Sequence, residues 1–379
     1  MQVLTAGPRS GFTAAQVTAA LTGPALTVGY GLDLLNADGT WTDISADCAG
    51  GEVDRDATAD IHGTCKLQVS RKLAWGSAQV RPRMRVTSSG IGPVTFYLGV
   101  YLLTTPTNDV DATPQTYAVT GYDRLWWLSQ QIGDSYTVAA GTGVLAAVRA
   151  VIAASGAPGQ VLLDGTASGA TLAADMAWPL TTYQSPTYLQ VANDLLASIG
   201  YRNLWVDENG NFRADPYLLP AQRAVEWTHD VTNQATCLVG VDRTETYDLF
   251  DVPNWWRFIR RDLAVAPTQT DGSDGLYQVV DQAGGPNSIN TIGATKKSVT
   301  YVDATDPLTL VTVGNQQVAT DKATTHTITV SLAPFPAAWH EDIYRYVDPA
   351  LGGTVKVLSA KWSLALDGSD GTATWQVVA

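Results

Sequence analysis

Val94-Thr-Phe-Tyr-Leu-Gly-Val-Tyr-Leu-Leu103 (VTFYLGVYLL) is dense in β-branched, aromatic and long aliphatic residues, the side chains that fit a pleated, half-buried surface. Its neighbours read the same way. Cys65, Leu67 and Val69 alternate with Lys66, Gln68 and Ser70, which gives one apolar and one polar face. Thr116–Tyr122 (TYAVTGY) is another strand. Leu26–Leu35 is a further one, followed by the hairpin signal Asn36-Ala-Asp-Gly39. Trp41–Ile44, Gly51–Arg55 and Val80–Val86 complete the set. Strands at roughly 8–12-residue spacing predict a closed or sandwiched antiparallel β domain.

After residue 132 the period changes. Gly143–Ser155 reads as a helix stopped by Gly156, and Ser185–Ile199 as a second one, with Ser185 as cap and Pro186 in the first turn. Tyr201–Val206 and Asn211–Ala214, joined by Asp207-Glu-Asn-Gly210, read as a hairpin. Strands return at Cys237–Thr244, Trp255–Ile259, Tyr277–Val280 and Lys297–Val302. A helix over Pro307–Thr320 follows Asp306, and Thr325–Leu332, Ile343–Val347, Thr354–Leu366 and Thr372–Val378 are strands. At roughly 100–200 residues per domain, 379 residues allow two to four domains. The expected division is an N-terminal arm (1–26), a β-barrel domain (27–132), an α+β insert (133–235) and a second β-rich region (236–379).

Composition excludes some functions. The net charge is −13, with no basic stripe of useful length, so specific nucleic-acid binding is not expected. No apolar run approaches the roughly 18 residues of a membrane span, and the first residues lack a signal-peptide pattern. The protein is therefore expected to be made and kept in the cytoplasm, or released by lysis. Cys48, Cys65 and Cys237 match no metal spacing and read as free thiols. Charged residues are 16%, against about 25% in a typical soluble domain. A neutral polar surface carrying twelve Trp and fifteen Tyr suits docking against other proteins.

Enzyme motifs appear only in fragments. Gly141-Thr-Gly143 opens a helix, with Asp164 downstream, as in a dinucleotide fingerprint. The preceding strand is short, however, and no further βαβ units follow, so it reads as a Gly-rich helix start. His340-Glu341 lacks the second His of a zinc-protease helix, since Tyr344 stands there. Asp271-Gly-Ser-Asp-Gly275 and Asp367-Gly-Ser-Asp-Gly371 read as turns and not as calcium loops. No catalytic, cofactor or metal residue is assigned, and no cofactor is expected.

Two features point to interfaces. Arg81, Arg83 and Arg85 lie two apart and share a strand face, paired to acids such as Asp54, Asp56 or Asp60 or to another subunit. Trp126-Trp127 and Trp255-Trp256 are adjacent pairs. On a strand one member of each fills a core while the other faces outward.

The order of these pieces resembles the hub family of tailed phages and related injection machines, especially minor tail proteins of phages infecting actinobacteria. The likeness is carried by Gly51-Glu-Val-Asp-Arg-Asp56, Cys65-Lys-Leu-Gln-Val69, Phe96–Leu103, Tyr117–Tyr122 and Asp123-Arg-Leu125. It continues through Tyr188–Ser198, Tyr201–Phe212 and Ser359–Val378. It spans roughly 27–379, as a likeness of order and texture. It implies a homotrimer with two tube-like antiparallel β-barrels per subunit, forming a quasi-sixfold ring in the virion tail. The implied partners are a tail tube or distal tail protein, a tape-measure protein, and spike or receptor-binding proteins. The implied role is non-catalytic and structural. The competing classes are a glycan- or receptor-binding tip protein and a cell-wall glycan hydrolase.

Overall fold

A computed structural model describes every residue except 24, 89, 109–115, 182–184, 234–236, 262–265, 303, 305 and 379. The expected junction between residues 235 and 236 lies outside the described residues. Strands dominate, and most of them belong to one 14-stranded sheet. From one end the sheet runs Val239–Tyr247, His326–Leu332, Gly371–Val377, Gly353–Ala365, Cys48–Asp56, Gly63–Val69, Tyr117–Tyr122, Tyr101–Asn108, Gln79–Ser88, Thr27–Leu35 and Trp41–Asp43. Ile91–Tyr97 pairs with Gln79–Ser88. Ile343–Asp348 pairs with Gly353–Ala365 and carries Trp227–Asp230 in parallel.

This corrects the expectation of two closed barrels, because no sheet among the described residues closes into one. The early and late strands instead meet edge to edge, with Leu364 opposite Val53 and Trp362 opposite Arg55. The cause is the length of Gly353–Ala365. Its 13 residues first pair with Ile343–Asp348 and then extend far enough to take Cys48–Asp56 on the freed side. One apolar cluster accordingly mixes Val53, Leu67, Met84 and Phe96 with Val330, Tyr344, Trp362 and Trp375.

Local patterning was legible. In Gly63–Val69 the residues Cys65, Leu67 and Val69 are buried while Lys66 and Gln68 are exposed. The Thr27–Leu35/Trp41–Asp43 hairpin forms, with Gly39 at φ 83°. The strand predicted over Val94–Leu103 is two strands, Ile91–Tyr97 and Tyr101–Asn108. They are broken at Gly99, whose φ is 119° and whose added Cβ would lie 2.3 Å from the Arg55 guanidinium. Residues 1–22 lie on their own chain. Thr13 caps the helix Ala14–Thr22 in a reciprocal box with Gln16, and Val17, Ala20 and Leu21 are buried.

A second cluster joins the helices Val144–Ala154 and Tyr188–Ala197 with Phe212 and Val206 of a short hairpin. The second helix starts later than predicted. Thr187 caps it by accepting from Gln190 N at 3.1 Å, while Ser185 Oγ accepts from Gly133 N. The strand before the first helix pairs with Met176–Trp178 and the strand after it with Phe212–Ala214. The βαβ unit that a dinucleotide site requires is therefore not formed. A third cluster lies between the helix Pro307–Thr324, capped by Asp306, and a separate sheet of Leu276–Val280, Trp255–Arg260 and Lys297–Val302. No helix among the described residues is long and apolar enough to cross a membrane.

Candidate assembly surface

The arginine row lies on Gln79–Ser88, whose other face sends Val80, Pro82, Met84 and Val86 into the core. Alternation places Arg81, Arg83 and Arg85 together, as predicted. Their partners differ from the prediction. Gln79–Ser88 pairs with Thr27–Leu35 and not with Cys48–Asp56, and the acids that Arg81 and Arg83 meet are Asp33 and Asp43. Arg81 contacts Asp33 at 3.0 Å and stacks on Tyr97 and Trp41, 3.6 and 4.2 Å from their ring centroids. Arg83 pairs with Asp33 and, at 2.5 Å, with Asp43. Gly31 makes room for it, since a Cβ there would lie 2.7 Å from Arg83 Nε. Asp43 is held below the usual carboxylate range by the hydroxyl and amide of Ser45, and further by Arg85. Arg85 alone is exposed. Two of the three cations are thus committed inside the subunit.

Trp126 and Trp127 are not on a strand. Asp123 Oδ1 accepts from Leu125 N at 3.0 Å and starts the short helix Leu125–Leu128. Helical geometry turns neighbours by about 100° rather than 180°. Both indoles are half-buried and meet edge to face at 5.6 Å, and Trp127 packs on the insert core. The in-and-out reading does hold for the other pair. Trp256 is fully buried and donates Nε1–H to Asp321 at 2.7 Å, while Trp255 is half-buried between Arg257 and Lys297.

Sequence reasoning missed the buried polar junction where these parts meet. Arg55 and Asp123 are an ion pair at 3.4 Å with both side chains fully buried. The Arg55 guanidinium lies 3.8 Å from the Trp339 ring centroid. Beside them the His62 and His340 rings meet at 4.7 Å, and Trp205 of the insert covers His340. Burial pushes both imidazoles below their ordinary range. Arg202 bridges Asp215 and Glu341, each at 2.7 Å, and Glu341 sits in the left-handed region at φ 62°. These groups neutralise one another across sequence separations that no local motif encodes, the Arg55 and Asp123 positions being 68 residues apart. Both Asp-Gly-Ser-Asp-Gly segments form turns, with Asp271 and Asp367 accepting from Ser273 N and Ser369 N at 2.9 Å.

No protein-family model matches this sequence, and no curated protein does. Solved structures share its fold. A tail protein from Neisseria meningitidis superposes with a TM-score of 0.63 at 12% identity, covering 92% of this chain and 96% of that one. The 43 kDa tail protein of prophage MuSo2 from Shewanella oneidensis gives 0.58 at 11% identity, over 92% and 98%. A chain of the Francisella PdpA–VgrG complex gives 0.54 at 8% identity, over 97% of this chain and 61% of that one. The fold of this chain, over nearly its whole length, is that of phage tail proteins.

Proposed function

We propose that the chain is a non-catalytic hub subunit of a phage tail tip, joining the tail tube to the distal tip and framing the channel for DNA and tape-measure protein. The carrying observation is the shared fold, which covers 92% of this chain and 96% and 98% of two tail proteins. The subunit works as a homotrimer in the virion tail, after assembly in the host cytoplasm. A tail tube or distal tail protein lies above it, with spike or receptor-binding proteins below. The arm (1–26), the first β region (27–132), the insert (133–235) and the second β region (236–379) are its working divisions. The edge-to-edge union of early and late strands suits a ring element, because it makes two β lobes one stiff body. An acidic channel wall repels the DNA phosphates, so DNA passes without adhering. Cohesion comes from buried contact area, at roughly 1,200–2,000 Å² per standard interface.

Electron microscopy of phage particles carrying an epitope insertion at an exposed loop tests this. Label is expected at the tail tip, and particles lacking the chain are expected to have incomplete tails. Label elsewhere, or normal tails without the chain, refutes the role.

A further inference from the structure

The small sheet Leu276–Val280, Trp255–Arg260 and Lys297–Val302 rests one face on the Pro307–Thr324 helix through Trp256 and Phe258. Its register defines the opposite face in three rows: Val280–Trp255–Lys297, Gln278–Arg257–Val299 and Leu276–Ile259–Tyr301. Nothing among the described residues covers the side of this face at Lys297–Val302, where Val299 and Tyr301 are 52% and 60% exposed. Lys297–Val302 is also an edge, with no second strand partner among the described residues. Phe250, 86% exposed, sits close by, because Lys296 Nζ donates to Leu249 O at 2.7 Å. An edge strand bearing exposed β-branched and aromatic side chains is a ready template for association, and such patches mark interaction sites.

Charge narrows the occupant. The nine face positions hold two cations, Arg257 and Lys297, and no acid. Both cations lie over the Trp255 ring, at 4.8 and 5.2 Å from its centroid. The chain as a whole carries −13. Its insert exposes Asp134, Asp164 and Asp175, against Arg149 as the one basic residue from 133 to 181. A second copy therefore offers the opposite sign.

We propose that this face is a contact between copies of the chain, in which Trp255, Val299 and Tyr301 meet a neighbour and Arg257 and Lys297 meet its carboxylates. The choice of a second copy as occupant rests on the tail-assembly reading. Three strands about 4.8 Å apart and five residues long at about 3.3 Å each span on the order of 250 Å². A free-standing interface needs about 800 Å² per partner, so this face is one seam of an assembly held at several.

The test uses full-length chain, mixed from ¹⁴N- and ¹⁵N-labelled preparations, followed by sedimentation and by carbodiimide cross-linking of lysine to carboxylate. Wild type is expected to form higher-mass species that weaken with salt, with Lys297 cross-links joining light to heavy chains. The double reversal R257E/K297E is expected to raise the dissociation constant about tenfold or more. Tyr301→Thr, at an exposed position, is expected to weaken assembly without moving the urea midpoint, which keeps the test decisive if the reversal misfolds. Wild type that stays monomeric throughout, or variants that assemble like wild type, overturns the proposal. A reversal variant that assembles normally and still completes tail tips rejects this contact and leaves the tail role standing. A chain that associates through this face yet is absent from tails does the converse.

Discussion

Acidification isolates one histidine in this fold. His229 is fully buried in a cage of Phe335, Tyr344 and Trp375, with ring centroids 5.7, 5.3 and 5.2 Å away. Neither ring nitrogen has a hydrogen-bond partner. Burial alone lowers its pKa from 6.5 to about 3, because the imidazolium would lose its hydration with nothing to replace it. The folded state therefore binds fewer protons than the unfolded state between those values, and stability falls as pH drops through 6.5. Integrating the linkage between pH 7 and pH 5 gives a loss of about 2 kcal/mol from this side chain. Three further side chains shift the total. His62 and His340 are lowered too and act in the same sense. Asp342, which burial pushes up to about 7, binds a proton on folding and acts in the opposite sense by a comparable amount. The decisive quantity is therefore the difference between wild type and His229→Leu. Urea midpoints converted to free energies at pH 7 and pH 5 are expected to show wild type losing about 2 kcal/mol more than the variant. At pH 7 the variant is expected to match or exceed wild type, since it removes two unpaired buried nitrogens. Equal losses in the two proteins would refute the reasoning.

Four other outcomes follow from packing and charge. Asp123→Asn leaves the fully buried Arg55 without its counter-charge and is expected to cost about 3–5 kcal/mol in urea unfolding. A double variant, Arg55→Met with Asp123→Leu, is expected to cost much less than the sum of its single changes. Gly314→Val forces a Cβ to within 2.6 Å of the Tyr277 ring and 2.8 Å of Phe258, and is expected to cost about 1–3 kcal/mol. Gly165→Ala, with nothing within 4 Å of the new Cβ, is expected to stay within about 0.5 kcal/mol of wild type.

By itself the sequence determined what depends on neighbours along the chain. The alternation in Gly63–Val69, the Asn36–Gly39 turn, and the placing of one Trp of the Trp255-Trp256 pair inward and the other outward all follow from a period of two residues and from turn residues. The Trp126-Trp127 reading failed because the same letters suit helix or strand, and the Asp123 carboxylate at the helix start settled it. Tertiary structure alone decided the pairings. Arg81 and Arg83 found Asp33 because Gln79–Ser88 chose Thr27–Leu35 as its neighbour, a choice among strands of similar composition. The open 14-stranded sheet, in place of two barrels, came from one long strand reaching across to Cys48–Asp56. The His229 cage and the Arg55–Asp123 pair arise where segments far apart in sequence converge. Their energies depend on desolvation, which is a property of the assembled surroundings and is written in no local pattern.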